Sequence, residues 1–519
     1  MKCLVLLLAL PGIIPTAALA QPTEGAASLP EPGSQPGLED RKPLRLSLAD
    51  CLQLALENNQ RRKISREGLR IAQAQHRQAL SAWWPQLMFT SSYTLLDEDP
   101  NFGFPESRLT YPASTLQVPA QDLLLPAGAF GPGSPPGPVP LRLPGGQIQI
   151  PAQQIHIPEQ KTTLMDRQTI TGGIELKYPL YTGGLRRARI DQTRTGTQLA
   201  EQDLRRCDLD VVCDVKNYYY ASLMTSKVHE LARDTLARME ATLDLTESFY
   251  RNGSSEVDKT DYLRTKVAVE GLRAAVSIVQ ANHESARSAL VNAMGLPWQT
   301  AVVLTESEIP FEPVRAELPA LVGHAYDFSP DWKRINLVLK AAEAGIREAR
   351  SGHLPKIMCF GRAARIWNDY DTGIMTDENK ETWQIGLGVE LPLFTGFRTV
   401  HQVREARARL EQLRHKRLRV EEGLALQVQT IFQRMNGRAG HVQHATEAAM
   451  TATENRELNV RAYRHQLVET EDVLESQLVE SLMKAQRQKA LYDHVRLQTE
   501  LERIIGGKIL QRLAGNSDS

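Results

Sequence analysis

One stretch of this 519-residue chain is written twice, and that repetition limits the possible folds more than any other feature. Leu48-Ala-Asp-Cys-Leu-Gln-Leu-Ala55 opens a helix running to Ala79-Leu-Ser-Ala-Trp-Trp-Pro85, and Ala341 to Ser351 lead in the same way to Leu354-Pro355. Pro85 and Pro355 each end a helix, because proline has no N–H and drives the residue before it out of helical backbone. Beyond each proline the period changes from helical to two. Leu87, Phe89, Tyr93 and Leu95 alternate with Met88, Thr90, Ser92 and Thr94, which reads as a strand of about 86–96 with one apolar face.

Each copy supplies a second strand. In about 168–179, Ile170, Ile174, Leu176 and Tyr178 share one face against Thr169, Thr171, Glu175 and Lys177; in about 382–392, Trp383, Ile385, Leu387, Val389 and Leu391 oppose Gln384, Gly386, Gly388 and Glu390. The strand at about 356–368 alternates poorly, with Arg362 and Arg365 on opposite faces. The second strands end in matching phrases, Tyr178-Pro-Leu-Tyr-Thr-Gly-Gly184 and Leu391-Pro-Leu-Phe-Thr-Gly-Phe397. Pro179, Gly183, Gly184, Pro392 and Gly396 are expected to stop the ladder and start a helix. From Gly184 to about Arg251 there is no proline, so a helix there would reach about 100 Å. Its copy, from Arg398 to about His465, carries Val403, Ala406, Leu410, Leu413, Val420, Leu424, Val428 and Ile431 at spacings of three and four, a narrow apolar seam. Turns near Asn252-Gly-Ser-Ser255 and Gln466-Leu-Val-Glu469 reverse the chain into return helices ending near Met294 and Ile505.

The organisation is thus a first repeat over 44–310, a second over 311–506, and a tail at 507–519. Met1-Lys2, an apolar run from Cys3 to Ile14 and the small-residue site before Ala20 read as a signal peptide over 1–20, followed by a disordered Pro/Gly/Ser-rich leader at 21–43. Residues 97–167, rich in Pro and Gly, join the first two strands as an elaborated loop expected on the outer surface. The mature chain keeps Cys51, Cys207, Cys213 and Cys359, too scattered for a disulfide framework. With 61 basic and 61 acidic residues, nothing in the charge points to nucleic acid. No mature stretch approaches 18 consecutive apolar residues, so the chain enters a membrane only as part of a closed β-barrel.

Four strands cannot close a barrel, for which about eight is the practical minimum. Three copies give twelve, and cyclic assembly leaves no edge open. With the duplicated helix–Pro–strand, the two Pro-Leu-aromatic-Thr-Gly phrases and the spacing from Tyr463 to Asp472-Val-Leu474, the sequence resembles the TolC family of outer-membrane efflux proteins over roughly residues 44–506. The fold this implies is mainly α with a membrane β-barrel portion: a long α-helical barrel plus four strands per protomer, trimeric and twelve-stranded. The resemblance also implies an exit duct of a tripartite efflux pump or type I secretion system, a homotrimer in the outer membrane of a Gram-negative bacterium. Its partners would be outer-membrane lipid, a periplasmic membrane-fusion adaptor and an inner-membrane pump of RND or ABC type, with no cofactor.

The family's acidic tip falls here on Asp472 and Glu475, with Asp261 in the first repeat and Tyr463 at the start of the motif; Val468 stands where an Arg would latch the tip. Three copies of Asp472 would make a carboxylate ring favouring cations. The same acids are also what a helix start favours through its dipole. No GxSxG, HExxH, Walker A or GxGxxG is present, which argues against an enzyme. His441 and His444, three apart, and the Tyr218–Tyr220 run read as exposed and packing residues, and no metal site is expected. Trp83, Trp84 and Trp383 fit an interfacial aromatic girdle. The alternative is a periplasmic coiled-coil adaptor or structural protein without a pore, which long helices allow but paired amphipathic strands do not.

Overall fold

The computed structural model describes residues 43–118, 121–126, 131–133, 136–143, 146–164, 166–252, 257–368, 380–465 and 467–507. The expected signal peptide, nearly all of the expected leader and all of the tail except Gly507 lie outside the described residues. In chain order the first copy is β1 (Leu44–Leu46), α1 (Leu48–Asn58), α2 (Gln60–Ser81), β2 (Gln86–Leu95), the short strands β3 (Asn101–Phe104), β4 (Ser107–Tyr111), β5 (Ser114–Val118), β6 (Gln121–Leu125), β7 (Val139–Leu143), β8 (Gly146–Ile150), β9 (Gln153–Ile157) and β10 (Gln160–Thr163), then β11 (Gln168–Tyr181), α3 (Leu185–Arg251) and α4 (Lys259–Ala293). β12 (Val302–Leu304), which pairs with β1, closes the first copy, and the second copy is α5 (Leu318–Phe328), α6 (Pro330–Ser351), β13 (Lys356–Asn368), β14 (Glu381–Glu390), α7 (Arg398–Arg464) and α8 (Thr470–Ile504). The copies match helix for helix: 11, 22, 67 and 35 residues in each.

The chain divides into a helical unit (Met1–Ser81, Gly183–Leu354 and Pro392–Ser519) and a sheet unit (Ala82–Thr182 and Pro355–Leu391). In the helical unit the cores are seams rather than a thick centre. α7 buries Val403, Leu410, Leu424, Val428, Ile431, Met435 and Val442, then Ala445, Ala449 and Ala452, while Leu426, Met450 and Leu458 on its other sides stay exposed. α2 buries nothing, and Ile64 and Ile71 lie open. Ion pairs tie neighbouring helices: Arg62–Asp208 at 2.7 Å, Arg347–Asp191 at 2.8 Å and the Lys216–Glu502 pair.

The leading helix of each copy, expected to be continuous, is split. Asn59 breaks the first with ψ of 126°; its amide donates to the Ala293 carbonyl at 2.7 Å and its Oδ1 accepts from the Arg61 N–H at 2.9 Å, so one side chain serves both ends of the break. Ser329 has the same φ and ψ, −59° and 126°, and Pro330 after it supplies the stop.

In the sheet unit the order is β14-β13-β11-β2, all antiparallel. Pro179 does not stop the ladder. β11 runs on to Tyr181, with a register shift between Pro179 and Tyr181, because β2 pairs only as far as Lys177 and the missing N–H therefore falls on an unpaired side. The 97–167 segment is a paired ribbon rather than a loop: β3, β4, β5 and β6 pair antiparallel with β10, β9, β8 and β7.

Candidate channel wall and helix reversals

Register decides what the four-stranded sheet presents. Phe89 pairs with Ile174, which pairs with Ala363, which pairs with Trp383; Leu87, Leu176, Gly361 and Ile385 form the next row. Tyr93, Ile170 and Trp367 make a row above. This face is apolar and uncovered: Leu87 and Phe89 are each 71 % exposed and Trp383 is 80 % exposed. At one end Arg365 pairs with Glu381 at 2.9 Å and lies 5.4 Å from the Trp367 ring, a charged and aromatic border beside Trp383. Trp83 and Trp84, also exposed, precede β2 at the opposite end. The opposite face carries Thr90, Ser92, Thr171, Glu175, Lys177, Arg362 and Gln384, with Ser92 and Thr171 hydroxyls 2.7 Å apart and Lys177–Glu175 at 3.0 Å. Phe360 also lies on this face against Gly386, where an added Cβ would sit 2.7 Å from the Cζ of its ring. β2 and β14 are the free edges of this sheet.

Pro85 and Pro355 stand immediately before β2 and β13, at the start of the sheet segments. Pro392 follows the end of β14. On the return, Gly183 and Gly184 take φ of +63° and +84° before α3, and a Cβ on Gly183 would meet Leu354 Cβ at 2.8 Å and Ser351 O at 2.9 Å, so glycine is required. Before α7 the same pair is Gly396 at +59° and Phe397 at +61°. A phenylalanine there holds left-handed backbone at a cost of about 1–2 kcal/mol; its ring is exposed and packs edge-on to Phe394 at 5.5 Å.

At the reversals the predicted acids do different work from one another. Asp472 is the third residue of α8 and closes a capping box, its carboxylate accepting from the Glu469 N–H at 3.3 Å. Asp261 does the same for α4, accepting from the Asp258 N–H at 3.1 Å while the Asp261 N–H donates to Asp258 at 2.9 Å. That bond, first of all, holds Asp258 below the usual carboxylate range. Glu475 is exposed, away from the cap. Tyr463 is buried, with its hydroxyl 3.1 Å from that of Thr246 on α3 and 3.0 Å from that of Thr470 on α8, so it ties three helices together. Within one chain Asp472, Asp261 and Tyr463 therefore act as structural groups of the reversals.

Sequence reading missed what lies next along the seam. Gln477 donates to Thr242 at 3.1 Å, and Glu480, 0 % exposed, receives Lys484 at 2.7 Å, Arg456 at 3.1 Å and Arg238 at 3.5 Å, from α8, α7 and α3. Burial works to raise its pKa; the Lys484 bond and the charges of Lys484, Arg456 and Arg238 outweigh it and leave the carboxyl below its ordinary range. The signal was available: Glu480 stands seven residues after buried Val473, in the seam itself. His441 and His444 sit exposed on α7, and no group of three or more His, Cys, Asp or Glu able to hold a metal occurs among the described residues. Likewise, no described helix is long and apolar enough to cross a membrane.

Long paired helices and a sheet with one bare apolar face and one polar face define a channel-wall protein, mainly α with a membrane β-barrel portion. Residues 159–296 and 321–507, more than half of the chain, match the family model of outer membrane efflux proteins, one segment falling in each copy, and the chain belongs to that family. The family is one of outer-membrane efflux proteins and not of enzymes. Similar proteins include the outer membrane efflux protein BepC of Brucella suis, 24 % identical over 49 % of this chain and 54 % of BepC. A probable efflux pump outer membrane protein, TtgC of Pseudomonas putida, is 26 % identical over 42 % of this chain and 44 % of TtgC. The chain spans about half the length of these curated relatives. Among solved structures, the CmeC outer membrane channel of Campylobacter jejuni superposes with a TM-score of 0.68 at 14 % identity, covering 93 % of this chain and 94 % of CmeC, and shares the fold.

Proposed function

We propose that this chain is the outer-membrane exit duct of a tripartite efflux pump or type I secretion system: a homotrimer whose twelve strands close a barrel in outer-membrane lipid. The helices would line a periplasmic tunnel met by a membrane-fusion adaptor and an inner-membrane pump of RND or ABC type. The observation that carries this reading is the four-stranded sheet itself, with an uncovered apolar face and two free edges, β2 and β14. Such a sheet cannot persist in lipid alone, because every unpaired edge group there costs several kcal/mol, and joining β14 of one copy to β2 of the next removes every edge. The apolar side chains left bare on α2 and α7 support the same closure. The relatives named for efflux support the direction of transport.

The test is the mass of the particle extracted in mild detergent together with its conductance in a planar bilayer. A trimer that conducts is expected; a monomer, or a protein recovered from the periplasm without detergent, rejects the reading in favour of the adaptor alternative. The acidic gate is a finer part of the proposal. Glu475 is exposed and Asp472 has oxygen capacity beyond its one capping bond, so three copies could present a carboxylate ring. Replacing both with Ala is expected to lower cation selectivity in single-channel recordings, and unchanged selectivity rejects the ring while leaving the duct intact.

A further inference from the structure

The ribbon between β2 and β11 carries apolar cross-strand pairs, one of which, Leu109 with Ile155, lies exposed. It continues the hairpin of those strands, bridged by the Leu96 N–H donating to Arg167 O at 2.9 Å and the Leu164 N–H donating to Pro100 O at 2.7 Å. Its register then passes through four blocks without a slipped residue: Phe104 opposite Gln160, Tyr111 opposite Gln153, Val118 opposite Gly146 and Leu125 opposite Val139. Between blocks stand prolines at a fixed spacing of seven, Pro105, Pro112, Pro119 and Pro126 on the way out and Pro144, Pro151 and Pro158 on the way back. The three blocks beyond β3 and β10 each pair apolar with apolar, Leu109 with Ile155, Leu116 with Ile148 and Leu123 with Leu141, and one residue along pair polar with polar, Arg108 with His156, Gln117 with Gln147 and Asp122 with Arg142; β3 and β10 instead set Phe102 opposite Thr162 and Phe104 opposite Gln160. Glu106 reaches both Arg108 at 3.6 Å and His156 at 3.4 Å, which puts those polar groups on one face; Leu109 and Ile155, on the other, stay 47 % and 41 % exposed.

A two-stranded ribbon is marginal in water without something on its apolar face. Charge argues against an anionic occupant such as lipid phosphate: residues 101–163 hold three acidic and three basic side chains. Prolines every seven residues spoil both edges for strand addition, which leaves the face. Resting on the threefold duct proposed above, we infer that the ribbons of the three copies pack their apolar faces against one another on the symmetry axis, as a stalk over the barrel mouth. Copies of one ribbon are complementary to themselves block by block, and anchorage at one mouth holds them at an effective concentration on the order of millimolar. Seven is odd, so a flat ribbon would turn successive blocks to opposite sides; the packing therefore requires the strong twist to which two-stranded ribbons are prone, about a half-turn per block.

The experiment uses the full chain in native outer membranes, with Cys51, Cys207, Cys213 and Cys359 changed to Ser and single cysteines then placed at Leu109→Cys, Leu116→Cys and Leu123→Cys, and at Thr110→Cys and Gln117→Cys for the polar face; the parent without cysteines must stay monomeric on the gel. After mild oxidation the three leucine positions are expected to shift the chain to a disulfide-linked dimer, since a threefold axis leaves the third thiol over, while the polar positions stay monomeric on a denaturing gel. Equal linkage on both faces, or none in particles that still run as trimers in detergent, overturns the stalk and spares the duct. Particles that run as monomers overturn both. Exchanging residues 105–158 for a short Gly-Ser turn is expected to raise single-channel conductance severalfold by opening the mouth, and unchanged conductance also overturns the stalk.

Discussion

α4 and α8 can be laid residue on residue, and the comparison separates what duplication preserved from what it released. Their third residues, Asp261 and Asp472, both close capping boxes. Their twenty-fifth are His283 and His494, and burial lowers the pKa of both rings. Their eleventh are Val269 and Glu480, each fully buried. The penultimate residues of the helices before them are Tyr250 and Tyr463, the first stacked on Tyr262 at 6.0 Å and 39 % exposed, the second sealed in a hydroxyl network. α8 buries seventeen residues against eight for α4, because α8 packs along both α7 and α3. Backbone length and caps are thus shared, whereas a seam position can hold valine in one copy and glutamate in the other once cations from two further helices reach it.

The strongest way to break this comparison is at the eleventh position. Glu480→Ala leaves Arg238, Arg456 and Lys484 gathered without their anion and should cost about 3 kcal/mol, the low end for a broken buried pair because Arg238 and Lys484 keep 34 % and 38 % of their side chains in water. Val269→Ala should cost about 2 kcal/mol, a loss of methylenes and a small cavity. Thermal unfolding of the two variants checks the order; equal losses would mean the cations add nothing beyond packing. Tyr463→Phe removes two hydroxyl contacts, although Thr246 keeps its bond to the Thr242 carbonyl at 2.8 Å, and should cost about 1 kcal/mol, while Tyr250→Phe should be neutral. Asp261→Ala and Asp472→Ala should each cost about 0.5–1 kcal/mol and differ little, since each removes one arm of a capping box. Unequal losses would show that Asp472 has a second task.

The smallest expected effect concerns pH. Burial makes the His494 and His283 rings harder to protonate in the folded chain, Arg287 and His229 adding to this at His283. A base with a lowered folded pKa stabilises the fold above its unfolded value of about 6.5, and that stability is lost as pH falls through it toward the folded value. The melting temperature should therefore fall between about pH 7 and pH 5, and less so in His494→Phe, whose ring keeps the edge-on contact with Phe311 at 4.9 Å. An unchanged pH profile would assign the acid sensitivity elsewhere.

Much of the architecture was legible because its signals are periodic. The alternation of Trp383 to Leu391 and the unbroken helical stretch after Gly184 leave little choice of element. The ribbon was not legible as strands: prolines every seven residues leave five-residue runs, too short to stand out beside the Gly-Pro cluster at 131–138, and the heptad of prolines was the signal to look for. The break at Asn59 was hidden because asparagine is tolerated in helices, and what stops the helix there is a bond to Ala293, 234 residues away. The acids at the reversals were found by resemblance, yet the Glu469-x-x-Asp472 spacing already carried the capping role that the structure gives Asp472.

Helices of 67 and 67, then 35 and 35 residues, behave as struts cut to one gauge. A single residue added to α3 alone would rotate everything after it by about 100° and slide its seam against α4 and α8, whereas dozens of residues are carried between β2 and β11. A scan of random insertions should find the chain intolerant through both pairs of struts and permissive between the strands, with length changes in the struts surviving only when both copies acquire them together.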